Sequence, residues 1–131
     1  MSGPLLFISH STVKPGRLEA YQELTAEAIE LVESEEPRII AFNSYASEDG
    51  TDVSTVQVHP DAESLDTHLK IFLERLRERA FANLDSYEIN VYGAPSAAAL
   101  EMLNEMPSQL PGLRVRVLPE HEGGFLRPQP L

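Results

Sequence analysis

The chain has four histidines and no cysteine, so imidazole rings are its main candidates for acid–base chemistry or metal binding. Two of them, His59 and His68, stand nine residues apart in the segment HPDAESLDTHLKIF, residues 59–72. Histidine pairs that bind a metal from one face of a helix lie closer in sequence, such as four residues apart, and no carboxylate is fixed beside both of these. The sequence therefore predicts no metal site. His59, which precedes a proline, is interpreted as a junction residue.

His68 is the leading candidate for a catalytic base. It lies roughly 60° from the centre of the apolar stripe formed by Leu65, Phe72 and Leu76, since each helical residue turns by about 100°. It therefore flanks the buried face and can point into a pocket, where an imidazole acts as a general base or binds a phenolic oxygen. Leu69 and Phe72 are predicted to contact the substrate. The alternative is a helix-edge histidine satisfied by a backbone carbonyl or by a partner chain.

A polar run interrupts the first predicted strand, with Ser9 and Ser11 on one side and His10 and Thr12 on the other. Buried polar groups need hydrogen-bond partners, so this run lines a pocket or meets the sheet of a partner chain. In a pocket, Ser9 would bind substrate. His10 is the second candidate base, although its position also suits the inside of a dimer.

The second predicted strand carries two further candidates, Asn43 and Tyr45. In a pocket, the Asn43 amide could orient a carbonyl or an oxyanion, and the Tyr45 hydroxyl could donate a hydrogen bond. The alternative is that both are ordinary residues toward the end of a strand.

These side chains are positioned by elements that the hydrophobic pattern predicts. Apolar and β-branched runs bounded by turn residues predict strands, and apolar residues every three or four positions predict helices. Gly16 and Asp61 are the predicted N-caps of two helices. The predicted strands are residues 5–13, 38–47, 52–59, 86–93 and 113–119, and the predicted helices are residues 16–34, a second that opens at residues 60–61, and residues 96–106.

The order β-α-β-β-α-β is the split arrangement of a ferredoxin-like fold, so the predicted class is α+β. An extra helix and strand follow, and then a loose tail, HEGGFLRPQPL. At 131 residues the chain is interpreted as one domain, residues 1–131, with a core at residues 5–93 and a C-terminal extension at residues 94–131.

The strands also suggest how the chain assembles. Two helices cover only one face of a four-stranded sheet, yet apolar residues occur at both parities in these strands, for example Leu6 and Ile8 against Phe7. The uncovered face would be an apolar patch larger than monomers usually expose. The sequence therefore predicts a homodimer that packs sheet against sheet, unless the C-terminal extension covers that face.

The composition limits which kinds of partner, location and cofactor are predicted. The net charge of −11, from 21 acidic and 10 basic residues, repels phosphate backbones, so no nucleic-acid partner is predicted. No stretch approaches the roughly 18 apolar residues of a membrane span, and the N-terminus lacks the basic region of a signal peptide. The absence of cysteine fits a cytoplasmic location, which is the prediction. No dinucleotide or nucleotide motif is present, and no cofactor is predicted.

Three stretches carry a resemblance to a known family: VKPGRLEAYQEL, EEPRIIAFNSYAS and VQVHPDAESLDTHLKIF. Together with the element order, over residues 5–93, they resemble the dimeric α+β barrel superfamily and, within it, the antibiotic biosynthesis monooxygenase-like families. His68, Leu69 and Phe72 match the family's pattern of a helix histidine, an apolar residue and then an aromatic residue.

The resemblance implies two sheets that form a barrel across a dimer interface, and a pocket between sheet and helices in each protomer. It implies a cofactor-independent monooxygenase-like protein that acts on a small aromatic or phenolic molecule, with His68 or His10 as the base and Asn43 or Tyr45 stabilising the anion. Haem-degrading members use a pocket tryptophan, and this chain has none. The competing hypothesis is a non-catalytic homodimeric module of the same fold that binds a small ligand or serves assembly.

Overall fold

Five β-strands and four α-helices form in the part of the chain that the computed structural model describes, residues 3–125 and residue 127. The end of the predicted tail, residues 126 and 128–131, lies outside the described residues, as do residues 1–2. The elements are β1 Leu5–Val13, α1 Leu18–Glu35, β2 Ala41–Ala46, β3 Asp52–His59, α2 Ala62–Ile71, α3 Arg77–Asn83, β4 Leu84–Tyr92, α4 Ala97–Glu105 and β5 Arg114–Leu118.

The strands form one sheet in the order β2-β3-β1-β4-β5. The first four are antiparallel to their neighbours, which is the strand arrangement of a ferredoxin-like fold and confirms the predicted α+β class. β5 is parallel to β4, because α4 lies between them and returns the chain to run in the same direction. The predicted extra helix and strand therefore extend the core sheet by one edge strand.

The second predicted helix is continuous, but its hydrogen bonding changes along its length. α2 begins after the predicted cap, Asp61, whose carboxylate accepts a hydrogen bond from the backbone N–H of Ser64 at 3.0 Å. Residues Phe72–Leu76 then form a π-helical turn before α3 continues the helix. The apolar stripe keeps its spacing through this turn, so the sequence pattern does not reveal it.

Two predicted boundaries are wrong near the first helix. Arg17, rather than Gly16, occupies the N-cap of α1, because Gly16 adopts a left-handed φ of +78° in the turn after β1. β2 begins at Ala41 rather than at residue 38, and the three residues before it approach the sheet without being part of the strand.

A β-bulge explains a third difference, the start of β4 at Leu84 rather than at residue 86. The register with β1 shifts between Ser11 and Thr12, and Ser86 is the extra residue, with a positive φ of 35°. The bulge reverses the side-chain parity of the strand. Leu84 and Tyr87 are therefore both buried on the same face.

The helices cover one face of the sheet. Along β1 the odd-numbered residues are buried and the even-numbered ones are partly or fully exposed. The strand register continues this division across the sheet, so that Gln57 of β3 and Phe42 of β2 lie on the covered face with Phe7. Apolar residues also occupy the uncovered face, where Leu6 is 38% exposed and pairs with Val58.

The C-terminal extension completes the core at one end. Ser96 caps α4 and its hydroxyl donates to the Asp66 carboxylate of α2 at 2.6 Å. The apolar side of this segment, including Leu103 and Met106, is fully buried. Because this burial requires the sheet and α2 beneath it, the extension is part of the same core and not an appended tail.

Candidate functional site

A cavity of about 90 Å³ lies between the covered face of the sheet and the helices. Its walls are mostly apolar and come from α1, α2, the π-helical turn, α3 and four strands. This volume is smaller than the roughly 150 Å³ of an apolar cavity that admits benzene, so a ring-sized ligand requires wall side chains to move. Apolar wall residues include Phe7, Leu24, Phe42, Phe72, Leu76 and Met106, and polar ones include Ser9, Ser44, Gln57, His68 and Tyr87.

His68 and Glu36 form a buried pair beside this cavity. The Nδ1–H of His68 donates to Oε2 of Glu36 at 2.9 Å, and their side chains are only 5% and 2% exposed. Glu36 is held by the end of α1, where its backbone N–H donates to the carbonyl of Val32. Its second oxygen, Oε1, is buried with no hydrogen-bond partner among the described residues. The carboxylate is therefore committed to His68.

The other ring nitrogen of His68 is available to a ligand. His68 lines the cavity, and among the described residues no group forms a hydrogen bond with its Nε2. A neutral imidazole that donates from Nδ1 to Glu36 carries its lone pair on Nε2. Phe7 and Phe42 pack against the ring, with centroid distances of 6.2 and 5.8 Å. This arrangement positions an imidazole base on an apolar cavity wall.

His59 lies next to His68 but has a different environment. Its ring is fully buried, 5.8 Å from the ring of His68, and both nitrogens are engaged, Nδ1 by Ser64 Oγ at 2.8 Å and Nε2 by Gln57 Oε1 at 2.9 Å. Burial, followed by the proximity of His68, lowers the pKa of His59 from 6.5 to about 4, against a smaller opposing effect of Asp61. His59 is therefore neutral at neutral pH.

This neutral histidine predicts an acid sensitivity of the fold. Between about pH 6.5 and 4 the unfolded chain protonates His59 and the folded chain does not, so the free energy of unfolding falls as pH falls. The full loss is roughly 3 kcal/mol, because the pKa of His59 differs by about 2.5 between the two states and a difference of one in pKa corresponds to about 1.36 kcal/mol. Denaturant unfolding at about pH 7 and about pH 4.5 measures it. His59→Gln is the control, because it does not titrate, and an equal loss in that variant would contradict the assignment.

The hydroxyl groups of Ser9 and Tyr87 lie on neighbouring strands of the cavity wall. Burial, followed by the proximity of Tyr21, raises the pKa of Tyr87 to about 12, against a smaller lowering effect of Ser9. Tyr87 is therefore protonated at all physiological pH values and acts as a neutral hydrogen-bonding group. Ser9 lies in the cavity wall, as its predicted substrate-binding role requires.

The predicted site residues separate into two groups. His68, Leu69, Phe72 and Ser9 all line the cavity. The three others lie on the uncovered face. There, His10 and Tyr45 both pair in register with Ser54, and Asn43 pairs with Val56. The structure does not bring these three residues to His68. His10 instead forms a hydrogen bond with Asp52, whose Oδ1 lies 2.5 Å from its Nε2.

Sequence reasoning missed two residues of the cavity region, Glu36 and Gln57. Glu36 lies in the acidic segment ESEEP at the end of α1, which is typical of a solvated helix end. Its partner is 32 residues away, and no local spacing connects them. Gln57 shares strand parity with His59, which is the one signal that could have placed it on the buried face.

Within residues 3–125 and residue 127, no group of three or more His, Cys, Asp or Glu side chains is arranged to hold a metal ion. No helix in this part of the chain is both long enough and apolar enough to cross a membrane.

The fold and its helix-covered pocket define the class: the chain has a ferredoxin-like α+β fold, as predicted. No protein-family profile and no curated protein matches the chain. Solved structures do match, and many of them are named antibiotic biosynthesis monooxygenases. The resemblance drawn from the sequence is therefore confirmed at the level of the fold.

Three of these structures illustrate the match. MupZ from Pseudomonas fluorescens has a TM-score of 0.65 at 23% identity, covering 96% of each chain. Rv0793 from Mycobacterium tuberculosis has a TM-score of 0.61 at 19% identity, covering 73% of this chain and 99% of its own. A protein from Nitrosomonas europaea, provisionally named an antibiotic biosynthesis monooxygenase, has a TM-score of 0.61 at 18% identity, covering 72% and 92%. The MupZ match thus extends over the C-terminal helix and strand as well.

Proposed function

We propose that this chain is a cofactor-independent monooxygenase-like enzyme that acts on a small aromatic, phenolic molecule. The observation that carries the proposal is the buried pair of His68 and Glu36, with His68 lining a mostly apolar cavity. A buried imidazole oriented by a carboxylate is an arrangement suited to proton transfer. The names of the structures with the same fold support the monooxygenase-like chemistry.

The reaction begins with transfer of the phenolic proton to Nε2 of His68. Glu36 stabilises the imidazolium that forms, because its carboxylate already accepts the Nδ1–H at 2.9 Å. The electron-rich phenolate then reacts with dioxygen at a ring carbon that carries two hydrogens in the keto form. That carbon loses both hydrogens and gains one oxygen atom as a carbonyl, and the second oxygen atom leaves as water.

The cavity walls support an aromatic substrate. Phe7, Phe42 and Phe72 line the space around His68, and edge-to-face contacts with such rings favour a flat aromatic ligand over a flexible polar one. Because the volume of about 90 Å³ is below the roughly 150 Å³ that admits benzene, a single ring requires some wall side chains to move, and larger ring systems require larger movements.

A non-catalytic ligand-binding or assembly module is the second candidate. The mostly apolar wall of the cavity favours it, since such a wall holds a small apolar molecule without any proton transfer. The two candidates differ in what happens after binding, because only the enzyme consumes dioxygen.

Oxygen uptake tests the proposal. The protein is incubated with a panel of one-ring phenols, naphthols and anthrols, and dissolved oxygen is followed with an electrode. We expect at least one compound to give saturable uptake above the rate without protein. Saturable binding with no uptake by any compound would favour the binding module and reject the enzyme.

We also infer that the chain is a homodimer that buries the uncovered face of its sheet. Leu6, Ile8, Val56 and Val58 give this face an apolar centre, and the neighbouring folds belong to a superfamily of dimers.

A matched pair of charge substitutions tests the dimer. Leu6→Glu puts a carboxylate on the uncovered face, and Ile29→Glu puts one on the outer side of α1, at residues of similar exposure, 38% and 41%. We expect Leu6→Glu to weaken the dimer at least about a hundredfold, because burying two unpaired carboxylates costs several kcal/mol. Sedimentation velocity at micromolar concentration measures the shift, and Ile29→Glu should remain dimeric. A monomeric wild-type protein would refute the inference.

A further inference from the structure

The side chain of Gln57 stands in the cavity wall beside His68. Gln57 lies in the middle of β3, on the covered face, and is only 3% exposed. It pairs in register with Phe42 on one side and Phe7 on the other, both of which pack against the His68 ring. Gln57 is thus a carboxamide on the sheet side of the cavity, between two residues that contact the ring of the proposed base.

The orientation of the Gln57 carboxamide sets the tautomer of His59. Oε1 of Gln57 is 2.9 Å from Nε2 of His59, and because an amide oxygen only accepts, Nε2 carries the proton. A neutral imidazole has one N–H, so Nδ1 is bare and accepts from the hydroxyl of Ser64 at 2.8 Å. The two hydrogen bonds therefore point the same way: Ser64 donates to His59, and His59 donates to Gln57.

The amide nitrogen of Gln57 is left for the cavity. Its oxygen is occupied by His59, and no acceptor in the described part of the chain bonds to its NH₂ group. This nitrogen is also not sealed off from solvent-sized space, and the side chain lines the cavity. A buried amide donor without an acceptor costs free energy, so the site is complementary to an acceptor atom on a ligand.

We propose that Gln57 is the residue that holds the oxygen of the substrate, and that His59 is its positioning residue. The same cavity is lined by an acceptor, Nε2 of His68, and a donor, the NH₂ of Gln57. A hydroxyl group satisfies both, since its O–H donates to His68 while its oxygen accepts from Gln57. After proton transfer, the same N–H stabilises the oxyanion. This role was predicted for Asn43, which lies on the other face of the sheet.

This inference rests on the proposed function, because it assumes that the cavity binds a phenol. Its test uses two probes of equal shape, 4-nitrophenol and 4-nitrotoluene, whose hydroxyl and methyl groups occupy the same place. Spectrophotometric titration gives Kd for each, and the visible absorption of the phenolate gives the pKa of bound 4-nitrophenol. Gln57→Leu removes the donor and replaces the carboxamide by an apolar side chain of similar size.

We expect Gln57→Leu to weaken binding of 4-nitrophenolate about 10- to 100-fold, the range for a hydrogen bond to a charged group, and to leave 4-nitrotoluene within about threefold. The pKa of the bound phenol should rise in this variant, because the donor favours the anion. Gln57→Glu, which keeps the acceptor for His59 but replaces the NH₂ by a carboxylate oxygen, should weaken phenolate binding as well and covers the case in which the leucine variant misfolds.

The role of His59 is tested by its own pair of variants. His59→Phe removes the N–H that fixes Gln57 and should weaken 4-nitrophenolate selectively. His59→Gln restores a donor in the same place and should recover most of the affinity. If His59→Phe lost affinity for both probes and His59→Gln did not restore it, His59 would have a purely structural role.

Asn43→Leu removes the competing carboxamide and should change neither probe. Phenolate affinity that depends on Asn43 and not on Gln57 would overturn the inference while leaving the proposed function intact. Failure of the wild-type protein to bind either probe would overturn the proposed function, and this inference with it.

Discussion

Replacing His68 by glutamine is expected to lower phenol-dependent oxygen uptake by a factor of about 10² to 10⁴, the usual contribution of a general base. Glutamine keeps a hydrogen-bonding group beside Glu36 but supplies no basic nitrogen at Nε2. Because proton abstraction precedes the reaction with dioxygen, kcat should fall more than affinity for the neutral phenol. Oxygen-electrode kinetics over a range of substrate concentrations separates the two.

Two other histidines make this experiment specific. His10 lies on the uncovered face, paired with Asp52, and His121 is exposed near the C-terminus. His10→Gln tests the second base that the sequence suggested, and His121→Gln controls for the loss of any histidine. Uptake that falls with His10→Gln and persists with His68→Gln would move the base to the other side of the sheet.

Removing one member of the His68–Glu36 pair is expected to destabilise the fold far more than removing both. His68→Phe leaves the Glu36 carboxylate buried and 2% exposed without its partner, at an expected cost of about 3–5 kcal/mol. The double variant Glu36→Leu with His68→Phe removes both polar groups. Its free energy of unfolding should equal that of the wild-type protein or exceed it by up to about 4 kcal/mol, because apolar replacements of buried pairs are often stabilising.

Guanidinium denaturation of the wild type, both single variants and the double variant at about pH 7 closes this cycle. We expect the losses of stability in the two single variants to be strongly non-additive, with the double variant far more stable than their sum predicts. A double variant as unstable as the sum of its two single variants would show that the pair does not behave as one buried unit. Loss of oxygen uptake in a more stable double variant would indicate that the pair is retained for chemistry.

Local patterns in the sequence were sufficient for most of the fold. The bounds of β1 and β3 follow from apolar runs between turn residues, and Asp61 is the cap that its position before a helical stripe predicts. His68 was placed at the edge of a buried face from helical geometry alone, and it lines the cavity. These features depend on residues within a few positions of each other, which one sequence displays.

The remaining features depend on distant contacts. Glu36 becomes part of the site only because the end of α1 meets α2, 32 residues later. In β2 both Phe42 and its neighbour Asn43 suit a buried face, so the strand's orientation could not be read from its composition. The register with β3 decides it and turns Asn43 away from the cavity. The bulge at Ser86 is another such feature, since only the pairing with β1 reveals it.

The π-helical turn at Phe72–Leu76 has a consequence for how this pocket can evolve. Each ring of a π-helix contains one residue more than a ring of an α-helix, so such a turn is equivalent to a single residue inserted into an otherwise regular helix. Phe72 and Leu76, at the two ends of the turn, both line the cavity. Loss or gain of one codon here would rotate one wall of the pocket while leaving α2, with His68, in place. Relatives of this protein can therefore change which ligands fit without rebuilding the base.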